Sequence, residues 1–260
     1  MKNGMQRTMR LAVLAVLFSA PAQAAYVELP NGTKVEGTDI RAKSDGEIVL
    51  TTAQGQRTFS KGQYVRAVAD KPADFDRARQ LVAAKKADEA LPILVEIVRK
   101  NRYLGWDVAA QQIVAQAQAV KGDHAAAALA YEELFRLDPE KKADPAIGWA
   151  HRQALLNAKQ FDKLGPVLDD LIEKGSRADA AKAQTMRGDI KLAQGQVDGA
   201  VLDYLRTVVL FENEKEAQPE ALFKAGEALE KLRDPRAKSM FEKLRTEYAA
   251  SPFAAQAAGK

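Results

Sequence analysis

The chain has 260 residues, a formal net charge of +4 and no cysteine, a length that fits one or two domains. Without cysteine there are no disulfides, thiolate metal sites, cysteine nucleophiles or lipid anchors on an N-terminal cysteine. The two histidines, His124 and His151, are too few to build an ordinary zinc site from histidine alone, so no metal and no cofactor is expected.

Residues 1–24 read as a signal peptide. Lys2, Arg7 and Arg10 precede the apolar run Leu11 to Ala20, and Pro21 leads into the small-x-small triplet Ala22-Gln23-Ala24. The run is about half the roughly 20 residues a spanning helix needs. The reading predicts a mature chain from Ala25, periplasmic or secreted, with no transmembrane segment. Removing the three basic residues of the leader leaves a net charge of +1. The overall basicity therefore gives no basic patch or stripe of the kind nucleic-acid binding requires, and no nucleic-acid partner is expected.

Residues 25–70 show the two-residue period of half-buried strands, with Val27 and Leu29, then Ile48 and Leu50. Asn31-Gly32, Asp45-Gly46 and Gln54-Gly55 punctuate the runs as turn dipeptides. Five short strands are expected. A meander this short exposes its edges unless it curls on itself, so the expectation is a small antiparallel β-barrel with Val35, Ile40 and Phe59 also inside. The segment resembles small SH3-like or Sm-like barrels that precede helical repeats in exported proteins. That resemblance implies either a cap on the helices or a contact with cell-wall peptides, for which Phe59 and Tyr64 are the aromatic candidates. Pro72 closes the strand region, because it lacks an amide hydrogen and biases its predecessor to extended geometry.

Residues 73–250 change to a period near 3.6 and repeat. Ala90, Ala127, Leu164, Ala200 and Ala237 each begin an apolar stripe, at spacings of 37, 37, 36 and 37 residues. Four residues later stand Leu94, Tyr131, Leu168, Tyr204 and Phe241; three further on stand Ile97, Leu134, Leu171, Thr207 and Leu244. A small or medium residue followed by large ones at i+4 and i+7 marks one helix face. Pro92 and Pro166 each follow the stripe's first residue by two, which places them early in the second helix of a hairpin, where proline costs least. Pro235, after the capping residue Asp234, opens the corresponding helix of the fifth unit. Partner helices are expected from Phe75 to Lys85, Asp107 to Val120, Pro145 to Ala158, Asp179 to Ala193 and Pro219 to Lys231. The outcome is five helical hairpins followed by a tail at 251–260.

The second and fourth units resemble tetratricopeptide repeats, whose length is 34 residues. Gly122, Ala127, Tyr131, Asp138 and Pro139 match the family's turn, alanine, aromatic and closing pair. Gly188 falls on its close-packing glycine, Gly195 on its turn glycine, and Ala200 and Tyr204 on its alanine and aromatic. Gly226 matches the close-packing position in the fifth unit. The third unit departs from the pattern, with Arg152 where a small residue is usual and Leu164 in place of alanine. The expected fold is thus α+β by segments, a small barrel and then an all-α tetratricopeptide-like solenoid.

No nucleophile elbow, phosphate loop, dinucleotide fingerprint or metalloprotease helix occurs, so no catalytic residue is proposed and the chain is not expected to be an enzyme. Adjacent acids such as Glu132-Glu133 and Asp169-Asp170 point in different directions on a helix. Function is expected in the groove that such repeats form with their first helices. Counting from the close-packing positions, Gln112, Gln116, Trp149, Gln153, Thr185, Asp189, Phe223 and Glu227 face it. The basic clamp that some tetratricopeptide proteins use for C-terminal carboxylates is missing. Trp149 is the expected anchor, since tryptophan dominates interface energetics. The sequence implies a non-catalytic cell-envelope scaffold binding a protein partner or a second copy of itself. The alternative is a cell-wall-binding module with the helices as a spacer.

Overall fold

The computed structural model describes residues 25–260; the leader expected at 1–24 lies outside the described residues. Among them, no helix is long and apolar enough to cross a membrane. The described residues form two compact units, one of 25–75 with 96–107, the other of 76–95 with 108–260.

The first unit holds six strands, β1 (Ala25–Glu28), β2 (Lys34–Gly37), β3 (Asp39–Ala42), β4 (Ile48–Thr52), β5 (Gly55–Phe59) and β6 (Arg66–Val68). They form two three-stranded antiparallel sheets ordered β2-β1-β6 and β3-β4-β5. The chain passes between them at Thr38, whose N–H donates to Thr51 O at 2.8 Å. The expected five-stranded barrel is therefore corrected to six strands in two sheets that do not close.

The alternation was read in the right phase. Val27, Ile48 and Leu50 are fully buried, Ile40 and Phe59 nearly so, and Val35 packs half-buried at the margin. What fills the remaining side of this core is Leu104, 4 % exposed, from far along the chain. Leu104 O accepts from Ala69 N at 3.2 Å, and Trp106 Nε1 donates to Ala69 O at 2.8 Å. Backbone just past β6 is thus satisfied by a downstream loop instead of by barrel closure. Tyr64, considered for a wall-peptide contact, donates its hydroxyl to Gly46 O at 2.7 Å and packs against this core with Tyr103.

The helices are α1 (Phe75–Ala83), α2 (Ala87–Lys100), α3 (Trp106–Lys121), α4 (His124–Leu137), α5 (Pro145–Asn157), α6 (Phe161–Lys174), α7 (Arg177–Ala193), α8 (Val197–Leu210), α9 (Gln218–Lys231), α10 (Arg236–Glu247) and α11 (Pro252–Gln256). The first ten pair into five hairpins, with boundaries within three residues of those expected for the first helices. Every stripe residue at the first two aligned positions is at most 6 % exposed. Burial of these small-large pairs, about 25 cal/mol per Å² of apolar surface, is what holds each hairpin shut.

The five hairpin turns share one geometry. Lys85, Gly122, Lys159, Gly195 and Arg233 all have φ between 56° and 86°. At each, that residue's N–H bonds the carbonyl three back, and the next N–H reaches the carbonyl five back, as at Gly195 to Leu192 (3.0 Å) and Gln196 to Lys191 (2.9 Å). This is the paired C-terminal cap that ends a helix through a left-handed residue. Asp144 caps α5, accepting from Ala146 N (2.9 Å) and Ile147 N (3.2 Å), with Pro145 at the first helical position.

Two local expectations shift. Pro92 and Pro166 are each the sixth residue of their helix, in the second turn and not the first, so each removes an i→i−4 bond. Pro235 lies just before α10, whose first residue Arg236 gives its N–H to Asp234 Oδ1 at 2.9 Å. Where a tail was expected, α11 contributes Ala254, and the turn after it Ala257, to the core around Phe223 and Phe241.

Candidate functional site

The helix spacing that builds the hairpins also presents one face of α5, α7 and α9 to a common cavity. It has a volume of about 440 Å³, within the range of about 300–1,000 Å³ typical of ligand pockets. From α5 it is lined by Pro145, Ala146, Trp149 and Gln153; from α7 by Lys182, Thr185, Met186 and Asp189; from α9 by Glu220. The α7 set has i, i+3, i+4, i+7 spacing, a single stripe.

Trp149 is half-buried. Its Nε1 donates to Asp179 Oδ1 at 3.1 Å, and the Arg152 guanidinium lies 4.7 Å from its ring centroid. Asp179 also accepts from Ser176 Oγ at 2.7 Å. The Ser176 bond, with further help from the indole and from Arg152, holds its carboxyl below the usual range. Trp149 therefore links α5 to α7 and at the same time offers its ring to the cavity.

The carboxylates at the other end are already engaged. Asp189 accepts from Tyr204 Oη at 2.9 Å and from Lys224 Nζ at 2.7 Å, and Lys224 also pairs with Glu220 at 2.5 Å. Burial pushes the Asp189 carboxyl up, with Lys224 opposing. Burial alone would lower Lys224, but the charges of Asp189 and Glu220 raise it above its ordinary value. The Tyr204 hydroxyl is raised by burial and then by the Asp189 charge, so it stays protonated and donates. Both carboxylates are thus held by the one lysine, and Asp189 by the Tyr204 hydroxyl as well.

Of the eight groove residues expected, Trp149, Gln153, Thr185 and Asp189 line the cavity. Thr185 is 3 % exposed, its Oγ1 bonding Ala181 O at 3.2 Å and Thr207 Oγ1 at 3.0 Å. Phe223 does not face open space: it is 9 % exposed, its ring 6.2 Å from Phe241 and 5.8 Å from Phe253, because α11 covers it. Glu227 lies 3.9 Å from Lys260 in the same C-terminal region. Gln112, half-buried, and Gln116, exposed, are on α3 away from the cavity. Counting missed Pro145, Ala146, Lys182, Met186 and Glu220, although Lys182 and Met186 belong to the same stripe as Thr185 and Asp189.

No protein-family model matches the chain, and no curated protein matches it in sequence. Among solved structures, residues 41 to the end of MamA from Desulfovibrio magneticus RS-1 are similar over 68 % of this chain and 94 % of their own, at 18 % identity and a TM-score of 0.49. The assignment of a tetratricopeptide-like repeat array rests instead on the hairpins themselves: their constant register, their shared left-handed turns, and the small-large pairs buried in each.

Proposed function

We propose that this chain is a non-catalytic, exported scaffold that holds a segment of a partner protein against the α5–α7–α9 face. One observation carries the reading. A cavity of about 440 Å³ lies along three successive first helices and is walled on one side by a half-buried tryptophan. Interface anchors are enriched in tryptophan and sit in such desolvated pockets. The engagement of Asp189 and Glu220 by Lys224 supports a binding role over an acid-base one, because neither carboxylate is left poised to exchange protons with a ligand. Export is supported by the charged, apolar and small-x-small sequence of residues 1–24.

The test is photo-crosslinking in intact cells with the reactive residue placed at Gln153, on the cavity wall, and in parallel at Lys238, exposed on α10. The reading expects a discrete protein adduct from position 153 that is missing from position 238. Adducts that are the same from both positions, or that come only from 238, would overturn it. Fractionation of the same cells locates the chain, and recovery wholly with cytosolic markers would refute export.

A further inference from the structure

Resting on that reading of the α5–α7–α9 face, we infer the chemistry of the occupant: a peptide segment carrying a large apolar side chain close to an internal aspartate or glutamate. The apolar group packs on Trp149 and Met186, and the carboxylate meets Lys182.

The apolar half follows from the walls. Pro145, Ala146, Trp149 and Met186 contribute the hydrocarbon and ring surface of the cavity. The indole N–H is already given to Asp179, so what Trp149 offers a newcomer is its ring. A thioether lining the same cavity as an aromatic ring adapts to side chains of different shape.

The acidic half follows from which charges are unmatched. Asp189 and Glu220 share Lys224, and Asp179 is met by Ser176 and Trp149. Lys182, with Asp179 one turn before it, makes no ion pair among the described residues, though it lines this cavity. It also lines a second cavity of about 280 Å³ with Ala178, Glu214, Lys215, Glu216 and Ala217, whose two glutamates make no ion pair with it among the described residues. A ligand cation would have to displace Lys224 from Asp189 and Glu220, and Arg152 from the indole. A lysine ammonium on a flexible stem can follow a carboxylate placed one or two residues either side of the anchor. Because an exposed ion pair is worth only about 0–1 kcal/mol, the apolar anchor supplies most of the affinity and Lys182 selects among sequences.

The experiment is selection of a displayed random-peptide library, fused so that no peptide has a free C-terminus, on the full mature chain. It is repeated with Lys182→Glu, Trp149→Ala and Gln153→Arg, each checked for helical content. Gln153→Arg obstructs the cavity while leaving the Trp149–Asp179 bond in place. The wild type is expected to enrich apolar residues next to aspartate or glutamate. Lys182→Glu should exchange the acid for lysine or arginine, and the two cavity variants should weaken the selected peptides by about tenfold or more. Peptides that depend on Trp149 and Gln153 but show no acidic preference, or the same preference with Lys182→Glu, overturn the proposed chemistry and leave the binding face standing. Peptides indifferent to both cavity variants, or no enrichment at all, overturn the binding face as well.

Discussion

Gly188 on α7 and the ring of Tyr204 on α8 occupy adjoining space with no room for one more carbon. A Cβ at position 188 would stand 2.7 Å from Tyr204 Cδ1 and closer still to Cε1, and at Gly226 it would stand 2.6 Å from Phe241 Cε1. Tyr204 cannot withdraw easily, since its hydroxyl is fixed to Asp189. Alanine normally gains about 1 kcal/mol over glycine inside a helix, whereas overpacking a tight core costs about 1–3 kcal/mol. Gly188→Ala should therefore lower unfolding free energy by up to about 2 kcal/mol, read as a lower denaturant midpoint at unchanged slope. A rise in midpoint would mean that the hairpin opens to accommodate the methyl at little cost.

The shared turns predict gains of stability. Lys159 sits at φ 56°, a left-handed conformation occupied by glycine in the equivalent turns at Gly122 and Gly195. Side-chain crowding in that region costs about 1–2 kcal/mol, part of which is returned because glycine has more freedom when unfolded. Lys159→Gly should stabilise by about 0.5–1 kcal/mol, and Gly122→Ala, with open space around its Cα, should cost a similar amount. Thermal melts of the two variants moving in the same direction would contradict this account.

The repeat array was legible because its signal is redundant: five hairpins place a small or medium apolar residue and a large one at nearly constant spacing, with a turn glycine at Gly122 and Gly195. What was not legible came from contacts that no local period encodes. Leu104 completes the core of the strands from a loop beyond α2, so the outer strands β5 and β6 need not pair. Phe223 has the spacing of a groove residue, yet α11 buries it. Asp203 reads as one more helix-surface acid, and only the packing of α7 on α8 shows that its side chain is fully buried. Four of the nine residues that line the cavity were found by counting turns. The remainder, Lys182 above all, needed the structure to show which charges were already matched.

Acidification should loosen the second and third hairpins through His151. Its ring lies 5.3 Å from Phe135 and 6.0 Å from Tyr131, and Nε2 is buried without a hydrogen-bond partner. Burial lowers its pKa from the ordinary 6.5; Glu132 opposes this, while Arg152 and Lys163 add to it. Because the unfolded chain takes up the proton first, this stability is fully present above the unfolded value. It is lost as pH falls from about 6.5 through the lower folded one. His151→Phe should make unfolding free energy less dependent on pH between about 7 and 5. Parallel pH profiles for the two proteins would remove His151 as the cause.

Asp203 should be among the most sensitive polar positions in the array. Its carboxylate, with 0 % side-chain exposure, accepts from Gln184 Nε2 (2.8 Å), Arg187 Nη2 (3.1 Å), Lys191 Nζ (2.8 Å) and Arg206 Nη1 (2.7 Å). Burial pushes this carboxyl up, but the bonds from Lys191, Arg187 and Arg206 outweigh it and hold it below its ordinary value. Removing one member of a buried ion pair typically costs about 3–5 kcal/mol. Here Arg187, Lys191 and Arg206 are 27 %, 30 % and 47 % exposed and can turn to water, so Asp203→Ala should cost nearer about 2–3 kcal/mol. The position of the charge decides how salt acts. Asp169, which pairs with the same Arg187 at 3.0 Å, is 63 % exposed, and the effect of Asp169→Ala should be below about 1 kcal/mol and vanish in high salt. The loss in Asp203→Ala should persist there, because salt screens a buried carboxylate far less. If high salt erases both effects equally, Asp203 is reached by solvent in solution and the α7–α8 interface is looser than the packing described above.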